Sequence, residues 1–364
     1  MSMKKVRKGF KMTDVGVIPE DWEVKKIGSL LKIGNGRDYK HLGKGEIPVY
    51  GTGGFITYVD DYLYDGETVC VGRKGTIDKP LYFNGKIWTV DTLFYTHSFV
   101  NSLPKYIYYN FLTIDWKSYN EASGVPSLSQ KIISNILICI PKTIIEQTAI
   151  VTALSDIDSL ISALDKKIEK KKAIKQGLMQ QLLTGKKRLL NFNEKWVKRN
   201  LGDLLEIKNG RDYKHLHYGN VPVYGTGGLM TFVDDFLYEG ETVCIGRKGT
   251  IDKPYYFNGK IWTVDTLYYT CNFTNCIAKY IFYLFSTIDW LSYNEATGAP
   301  SLSQSIIYSI EVMLPSTLAE QTAIATILSD CDQEISSLEA KRDKYKEMKQ
   351  GMMQQLLTGN IRLI

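Results

Sequence analysis

From Ile150 the apolar residues advance by four, three, four, three and four: Ile150, Leu154, Ile157, Ile161, Leu164 and Ile168, with Leu178 and Leu182 back in the same register. A second stretch repeats this at Ile324, Leu328, Cys331, Ile335 and Leu338, then at Met352 and Leu356. Sustained 4-3 spacing marks the seam of a coiled coil. Pro141 and Pro315 precede the two stretches, and Gly185 and Gly359 follow them, which are the expected boundary residues. The pattern predicts two rods of about 35 to 40 residues, roughly 50 to 60 Å long at 1.5 Å per residue. The seam turns polar at Lys171 and Lys175, and at Tyr345 and Lys349 in the second rod, which predicts a looser contact there.

Ahead of each rod the texture changes. Residues 22–141 and 196–315 are rich in Gly, Tyr, Thr and Val, with short apolar runs broken by turn residues. Val69-Cys70-Val71 and Ile136 to Ile140 read as buried strands, and Pro104 to Leu112 reads as a short helix with proline at its start. Asn84-Gly85 and Asn258-Gly259, flanked by apolar runs, predict hairpin turns. Each of these parts is expected to be a mixed α/β globule.

The whole plan is written twice. Gly36-Arg37-Asp38-Tyr39-Lys40-His41-Leu42 returns 174 positions later as Gly210 to Leu216, and Gly72 to Pro80 returns as Gly246 to Pro254. Trp22 to Gly185 aligns with Trp196 to Gly359 without insertion or deletion, and roughly two thirds of the positions are identical. Two long copies, rather than many short ones, mean a duplicated module and not a solenoid. The first rod starts at the first globule and ends where the second begins. To bury its seam against the first, the second rod has to run back. The expected fold is α+β: two globules separated by two long antiparallel coiled-coil helices, related by a pseudo-two-fold internal repeat. Such a dyad matches those of a B-DNA duplex. A stalk carrying duplicated sugar- or protein-binding heads has the same layout.

Composition narrows the class without deciding it. The hydrophobic share of 44% and charged share of 23% are those of a globular protein, and no apolar run is long enough to cross a bilayer. The basic opening, Met1 to Lys11, is not followed by an apolar stretch, so no secretory signal is read and a cytoplasmic location is expected. Cys70 and Cys244 fall in strand-like runs and are expected to be buried free thiols. Cys271 and Cys276 are the one close pair, and no metal or disulfide role is assigned to them. A net charge of +6 permits a polyanionic partner but does not require one.

Three junctions together resemble the specificity subunits of type I restriction–modification systems. They are Thr13 to Glu23; Gly124 to Leu128 with Pro141 and Glu146-Gln147-Thr148-Ala149-Ile150; and Gln180 to Gly185. The last two occur again in the second copy. The resemblance implies that each globule is a target recognition domain for DNA and that the helices hold two partner methyltransferase subunits. It further implies that S-adenosylmethionine sits on the partner while this chain binds no cofactor, that adenine is methylated in a bipartite site, and that motor and nuclease subunits can join. Family members usually carry two dissimilar recognition domains. These two are nearly alike, which argues for an inverted-repeat target.

The chain carries no recognisable catalytic set of its own. An adenine methyltransferase needs an Asp/Asn-Pro-Pro-aromatic loop, and no Pro-Pro occurs. Gly72-Arg73-Lys74-Gly75-Thr76 has the wrong order for a phosphate-binding Walker loop. Of the four histidines, His41 and His215 belong to the repeat, leaving His97 and His217, so no zinc or Ser-His-Asp site is expected. The expected DNA contacts lie in loops. Arg37, Lys40 and His41, with Tyr39 beside them, carry groups for guanine O6/N7, phosphate, sugar or a thymine methyl. Arg73, Lys74 and Thr76 follow a buried strand and suit a backbone clamp. Tyr50 and Thr52 stand in a Gly-rich turn, and Ser127 and Ser129 precede the last strand. The second copy supplies Arg211, Tyr213, Lys214, His215, Tyr224, Thr226, Arg247, Lys248, Thr250, Ser301 and Ser303. For each loop the competing reading is a solvated turn. Trp88, Trp116, Trp262 and Trp290 are expected in cores rather than as stacking platforms. The run Lys166, Lys167, Lys170, Lys171, Lys172 and Lys175 reads as a solvated face that borders DNA or receives an acidic partner.

The expected division is an N-terminal segment at 1–21, recognition domains at 22–141 and 196–315, a central helical spacer at 142–185, a linker at 186–195 and a distal helical spacer at 316–364. The expected function is a non-catalytic DNA-recognition subunit. The rivals are a stand-alone DNA-binding regulator, a coiled-coil scaffold without DNA, and a duplicated hydrolase.

Overall fold

The computed structural model describes residues 7–363, so the first six residues of the basic opening lie outside the described residues. The chain divides into two compact units, Met1–Leu164 with Lys341–Ile364, and Asp165–Ala340. The division falls within both long helices, so each unit owns one globule and one segment of each helix.

In the first unit, β1 (Phe10–Thr13) and β2 (Gly16–Pro19) form a hairpin, and β3 (Glu23–Lys26) leads into α1 (Ile27–Leu30). Then come β4 (Lys32–Asn35), β5 (Ile47–Gly51), β6 (Gly54–Val59), β7 (Tyr64–Gly72), β8 (Leu81–Thr89) and β9 (Leu93–His97). After them follow α2 (Pro104–Phe111), a 3-10 turn at Trp116–Tyr119, α3 (Gln130–Asn135), β10 (Leu137–Ile140) and α4 (Ile144–Leu182). Six strands form one sheet in the order β4-β9-β7-β8-β5-β6, antiparallel except for β5 against β8. β10 pairs with β3. The central strand β7 ends in five consecutive buried residues, Thr68 to Gly72, which is why its sequence reads as an unbroken apolar run.

The second unit repeats the plan. Its elements are β11 (Val197–Asn200), α5 (Leu201–Leu204), β12 (Glu206–Asn209), β13 (Val221–Gly225), β14 (Gly228–Val233), β15 (Tyr238–Gly246), β16 (Tyr255–Thr263), β17 (Leu267–Cys271), α6 (Ala278–Phe285), α7 (Gln304–Ser309), β18 (Glu311–Leu314) and α8 (Leu318–Leu356), with a 3-10 turn at Trp290–Tyr293. Its sheet order is β12-β17-β15-β16-β13-β14.

The Asn-Gly pairs are not turns. Asn84 and Gly85 lie inside β8, where Gly85 faces Gly66 of β7; Gly259 faces Gly240 likewise. All four glycines have φ between 114° and 136°, so each opposed pair lets its hairpin bend sharply. The chain actually reverses at residues 73–80, the loop with the repeated cations.

Each helix is 39 residues long. In the first unit Ile150 and Leu154 of α4 share a core with Met353, Leu356 and Leu357 at the end of α8, together with Trp22, Tyr106, Tyr109 and Trp116. Asp158 pairs with Lys349 at 2.6 Å. Contacts thus climb one helix as they descend the other, and the segments are antiparallel. In the second unit Leu182 and Leu183 meet Ile324 and Leu328, and Lys175 pairs with Asp332 at 2.5 Å.

The polar seam positions are filled rather than loose. Lys349 also lies 5.5 Å over the Tyr109 ring, and the Tyr109 hydroxyl donates to Asp158 at 2.8 Å. Lys175, Asp332 and Tyr283 repeat that arrangement. Lys171 pairs with Glu334, and Lys172 with Glu339. The acidic partner of half the lysine run is therefore α8 itself, while Lys166, Lys167 and Lys170 stay exposed.

The head of each helix carries a buried carboxylate. Glu146, 3% exposed, receives the Arg362 guanidinium through two hydrogen bonds, and the Trp22 indole N–H donates to it at 3.1 Å. Arg362 also forks onto Asp21 at 2.8 and 2.9 Å, holding that carboxyl below its ordinary pKa. Glu320, Arg188 and Trp196 form the counterpart. The neighbouring Gln147, fully buried, accepts from Leu103 N–H and donates to the carbonyls of Asn101 and Pro141, tying globule to helix.

Two outcomes follow. Arg362→Ala strands a buried carboxylate, a loss of about 3 to 5 kcal/mol, set toward the low end because Arg362 is 25% exposed. Thermal unfolding should show a clear drop in Tm for Arg362→Ala and Arg188→Ala and a smaller one for Glu146→Gln. Burial drives the Cys70 thiol far above its ordinary range and the Cys244 thiol up to about 12. Both stay protonated at pH 8, so iodoacetamide should modify them only after denaturation, as peptide mass mapping would reveal.

Candidate nucleic-acid interface

Four loops of the first unit are joined at one end of the sheet by main-chain hydrogen bonds. The turn 90–92 between β8 and β9 is the hub. Thr92 carbonyl accepts from the N–H groups of Arg73 at 2.8 Å and Lys74 at 3.2 Å. Thr89 carbonyl accepts from Arg37 N–H at 2.8 Å, and Tyr50 carbonyl from Val90 N–H at 2.9 Å. Gly75 N–H reaches Pro126 carbonyl at 2.8 Å, and Lys74 bridges to Ser127. Gly36 has to be glycine here, because a Cβ would fall 1.9 Å from Val90 carbonyl. Thr52 hydroxyl donates to Lys74 carbonyl at 3.3 Å. The second unit repeats these bonds through Arg211, Arg247, Lys248, Gly249 and Thr266. Its Gly249 sits 3.5 Å, measured from an added Cβ, from the Thr226 hydroxyl.

Most of the expected residues are thus gathered, though not all with free side chains. Arg37, Lys40, His41, Arg73 and Lys74 are exposed, as are Arg211, Lys214, His215, Arg247 and Lys248. Among the described residues none of these arginines or lysines enters an ion pair, whereas Lys117 is engaged by Asp78 and Lys198 by Glu311. Tyr39 and Tyr213 are half-buried and pack on the clusters around Trp88 and Trp262. His41 and His215 sit edge-on to those indoles, with ring centroids 5.8 Å apart. Trp88, Trp116, Trp262 and Trp290 are all core residues, and each indole N–H donates to a main-chain carbonyl. For Trp88 and Trp262 that carbonyl belongs to Arg37 and Arg211, so the core aims the cation loop.

Other expected residues are partly committed to the protein. Tyr50 packs against Phe83 with tilted rings 4.4 Å apart at their centroids, and Tyr224 lies against Phe257 at 5.8 Å. Thr76 and Thr250 are half-buried in the reversal loop, as Ser301 is beside Lys248. The hydroxyls of Ser129 and Ser303 cap α3 and α7, accepting from Ile132 and Ile306 N–H at 3.3 Å.

The structure adds residues to the cluster. An open cleft of about 830 Å³ in the first unit is lined by Arg73, Lys74 and Ser127, and also by Asn35, Gln130 and Lys131. Gln130 amide N–H groups bond to Ile33 carbonyl and Asn35 Oδ1, which orients the asparagine. The sequence signal for the hub turn was present in Thr89-Val90-Asp91-Thr92-Leu93, identical at 263–267, but the loops it joins are far apart in the chain. Among the described residues no cluster of His, Cys, Asp or Glu is placed to hold a metal, and no helix is long and apolar enough to cross a membrane.

Known proteins place this architecture. The Type I restriction enzyme MjaVIII specificity subunit of Methanocaldococcus jannaschii is 24% identical over 95% of this chain and 94% of its own length. The putative MjaX specificity subunit of the same organism is 24% identical over 97% of each. The S subunit of a type I restriction–modification system from M. genitalium shares the fold with a TM-score of 0.72, at 17% identity, over 95% of this chain and 97% of that one. A chain from a type I system solved for its complex assembly and conformational transition gives 0.52 at 12% identity, over 94% and 99%. Residues 19–176 and 193–346 each match the type I restriction modification DNA specificity domain, and the chain belongs to that family.

Proposed function

We propose that this chain selects the DNA sequence for a type I restriction–modification complex, each unit reading one half of a bipartite site. The observation that carries this reading is the cluster of exposed cations in each unit, Arg37, Lys40, Arg73 and Lys74 and their counterparts. Among the described residues these pair with no carboxylate, and all but Lys40 and Lys214 bond directly to that unit's main-chain hub. Unpaired cations on fixed loops neutralise phosphates and release counterions, and guanidinium groups among them can donate to guanine O6 and N7. The relatives are specificity subunits by name, and this chain takes the same non-catalytic role. Its partners are two methyltransferase subunits, which bring S-adenosylmethionine and methylate adenine N6, with motor and nuclease subunits joining for cleavage in the cytoplasm. The helices set the gap between the half-sites. Because residues 36–42, 72–80 and 89–93 recur unchanged at 210–216, 246–254 and 263–267, the halves carry one sequence in inverted orientation.

Long-read methylation mapping of cells expressing the chain with its neighbouring methyltransferase tests this. The expected result is methyladenine in a motif with inverted halves and a constant gap. Unrelated halves would remove the inverted target, and no new methylation would favour a stand-alone regulator. Negligible DNA affinity at physiological salt would favour a scaffold. In the assembled complex, Arg73→Ala and Lys74→Ala should each lower the slope of log affinity against log salt by about 1. Fluorescence anisotropy over a salt series measures it.

A further inference from the structure

The hub turn holds a group that the cation loops do not explain. Val90, Asp91 and Thr92 are fixed by their own main chain. Leu93 N–H closes the turn on Val90 carbonyl at 2.9 Å, Arg73 Nη1 donates to Asp91 carbonyl at 3.3 Å, and Thr92 carbonyl takes two N–H groups. The second unit has the same bonds, including Arg247 Nη1 to Asp265 carbonyl at 3.3 Å. The carboxylates of Asp91 and Asp265 are exposed, and among the described residues neither accepts a hydrogen bond nor enters an ion pair, although cations flank both. Asp265 lines the cleft of its unit with Arg247, Lys248 and Ser301.

The other acidic positions that both copies share in these loops are engaged in at least one copy; Glu46, likewise without a partner among the described residues, is replaced by Asn220 in the second copy. Asp78 pairs with Lys117, Asp38 accepts from Lys40 N–H, and Glu295 accepts from Ser303 N–H. Among the described residues, Asp91 and Asp265 are the shared acidic pair of these loops that lacks a partner in both copies. A lone carboxylate facing a polyanion is repelled by every phosphate nearby. Holding one rigid at the centre of a cationic surface makes physical sense where something there donates to it. On a duplex the donors are the exocyclic amines of the major groove, adenine N6 and cytosine N4. Adenine places its N7 acceptor beside N6, which repels a carboxylate. Cytosine offers N4–H next to a C–H edge and has no such conflict.

Resting on the DNA-reading function proposed above, we infer that Asp91 and Asp265 each read a cytosine, at one fixed position of each half-site, by accepting from its N4 amine. The flanking arginines anchor the backbone or the paired guanine, and the carboxylate excludes bases that present only acceptors.

The test uses the full-length chain assembled with its methyltransferase and a DNA pool randomised across the motif. Asp91→Asn should abolish the cytosine preference at one position of one half, by roughly 5- to 100-fold, and admit adenine, whose N6 and N7 an amide can satisfy. Asp265→Asn should do the same in the other half only. Tm should not fall, since among the described residues no hydrogen bond or ion pair of the protein rests on the carboxylate. The inference is overturned if both variants retain the wild-type motif, or if discrimination drops evenly at all positions, or if Tm falls with binding. A wild-type complex that selects no motif would instead overturn the reading on which the inference rests.

Discussion

Glu146 and Glu320 sit in the first turn of the two long helices, almost wholly out of water, and each is neutralised by an arginine that follows the end of the other helix. Burying a carboxylate is costly unless its charge and lone pairs are met, so the rest of each unit is arranged around meeting them. Arg362 and Arg188 supply the charge, and Trp22 and Trp196 supply a further N–H from the start of each globule. The clasp therefore closes only when helix head, helix tail and globule entry are all in place. Gln147 and Gln321, one residue on, extend it into the loops before α2 and α6.

A second layer of the same logic runs along the helices. The apolar seam supplies most of the burial, but leucines and isoleucines tolerate slippage by a turn. The Tyr109-Asp158-Lys349 and Tyr283-Asp332-Lys175 groups do not, because each joins both helices and the globule through directed contacts. Polar residues at seam positions are known to fix register at some cost in stability.

The cation loops are positioned separately from the helices, through two indoles. Trp88 and Trp262 are packed in small cores of their own, and their N–H groups hold the main chain at Arg37 and Arg211. The loops that carry cations are thus held mainly by backbone bonds, and their arginines and lysines keep most of their donors outside the protein's own hydrogen bonds. A surface of that kind suits a ligand with regularly spaced negative charge and base edges of fixed geometry.

How much of this was legible beforehand depends on the range of the interactions. Helix length, seam and duplication are local or periodic, and Ile150, Leu154, Ile324 and Leu328 betray them in the bare sequence. The cation runs were equally visible, since Arg73 and Lys74 recur intact in Arg247 and Lys248. Asn84-Gly85 misled because the same dipeptide serves a tight turn and a bent strand, and only the facing Gly66 distinguishes them. That Ser129 also caps α3, accepting from Ile132 N–H while its own O–H remains a donor, became visible only with the helix in place. The acids opposite Lys171 and Lys175 lie over 150 residues away in the chain, so pairing decided their role. Sequence alone determined the repeated plan of globule and rod, because periodicity and identity need no third dimension. Which side chains were left without an ion-pair partner to meet a ligand, Asp91 and Lys74 among them, was decided by the tertiary structure, because a group is free only once every neighbour has been placed.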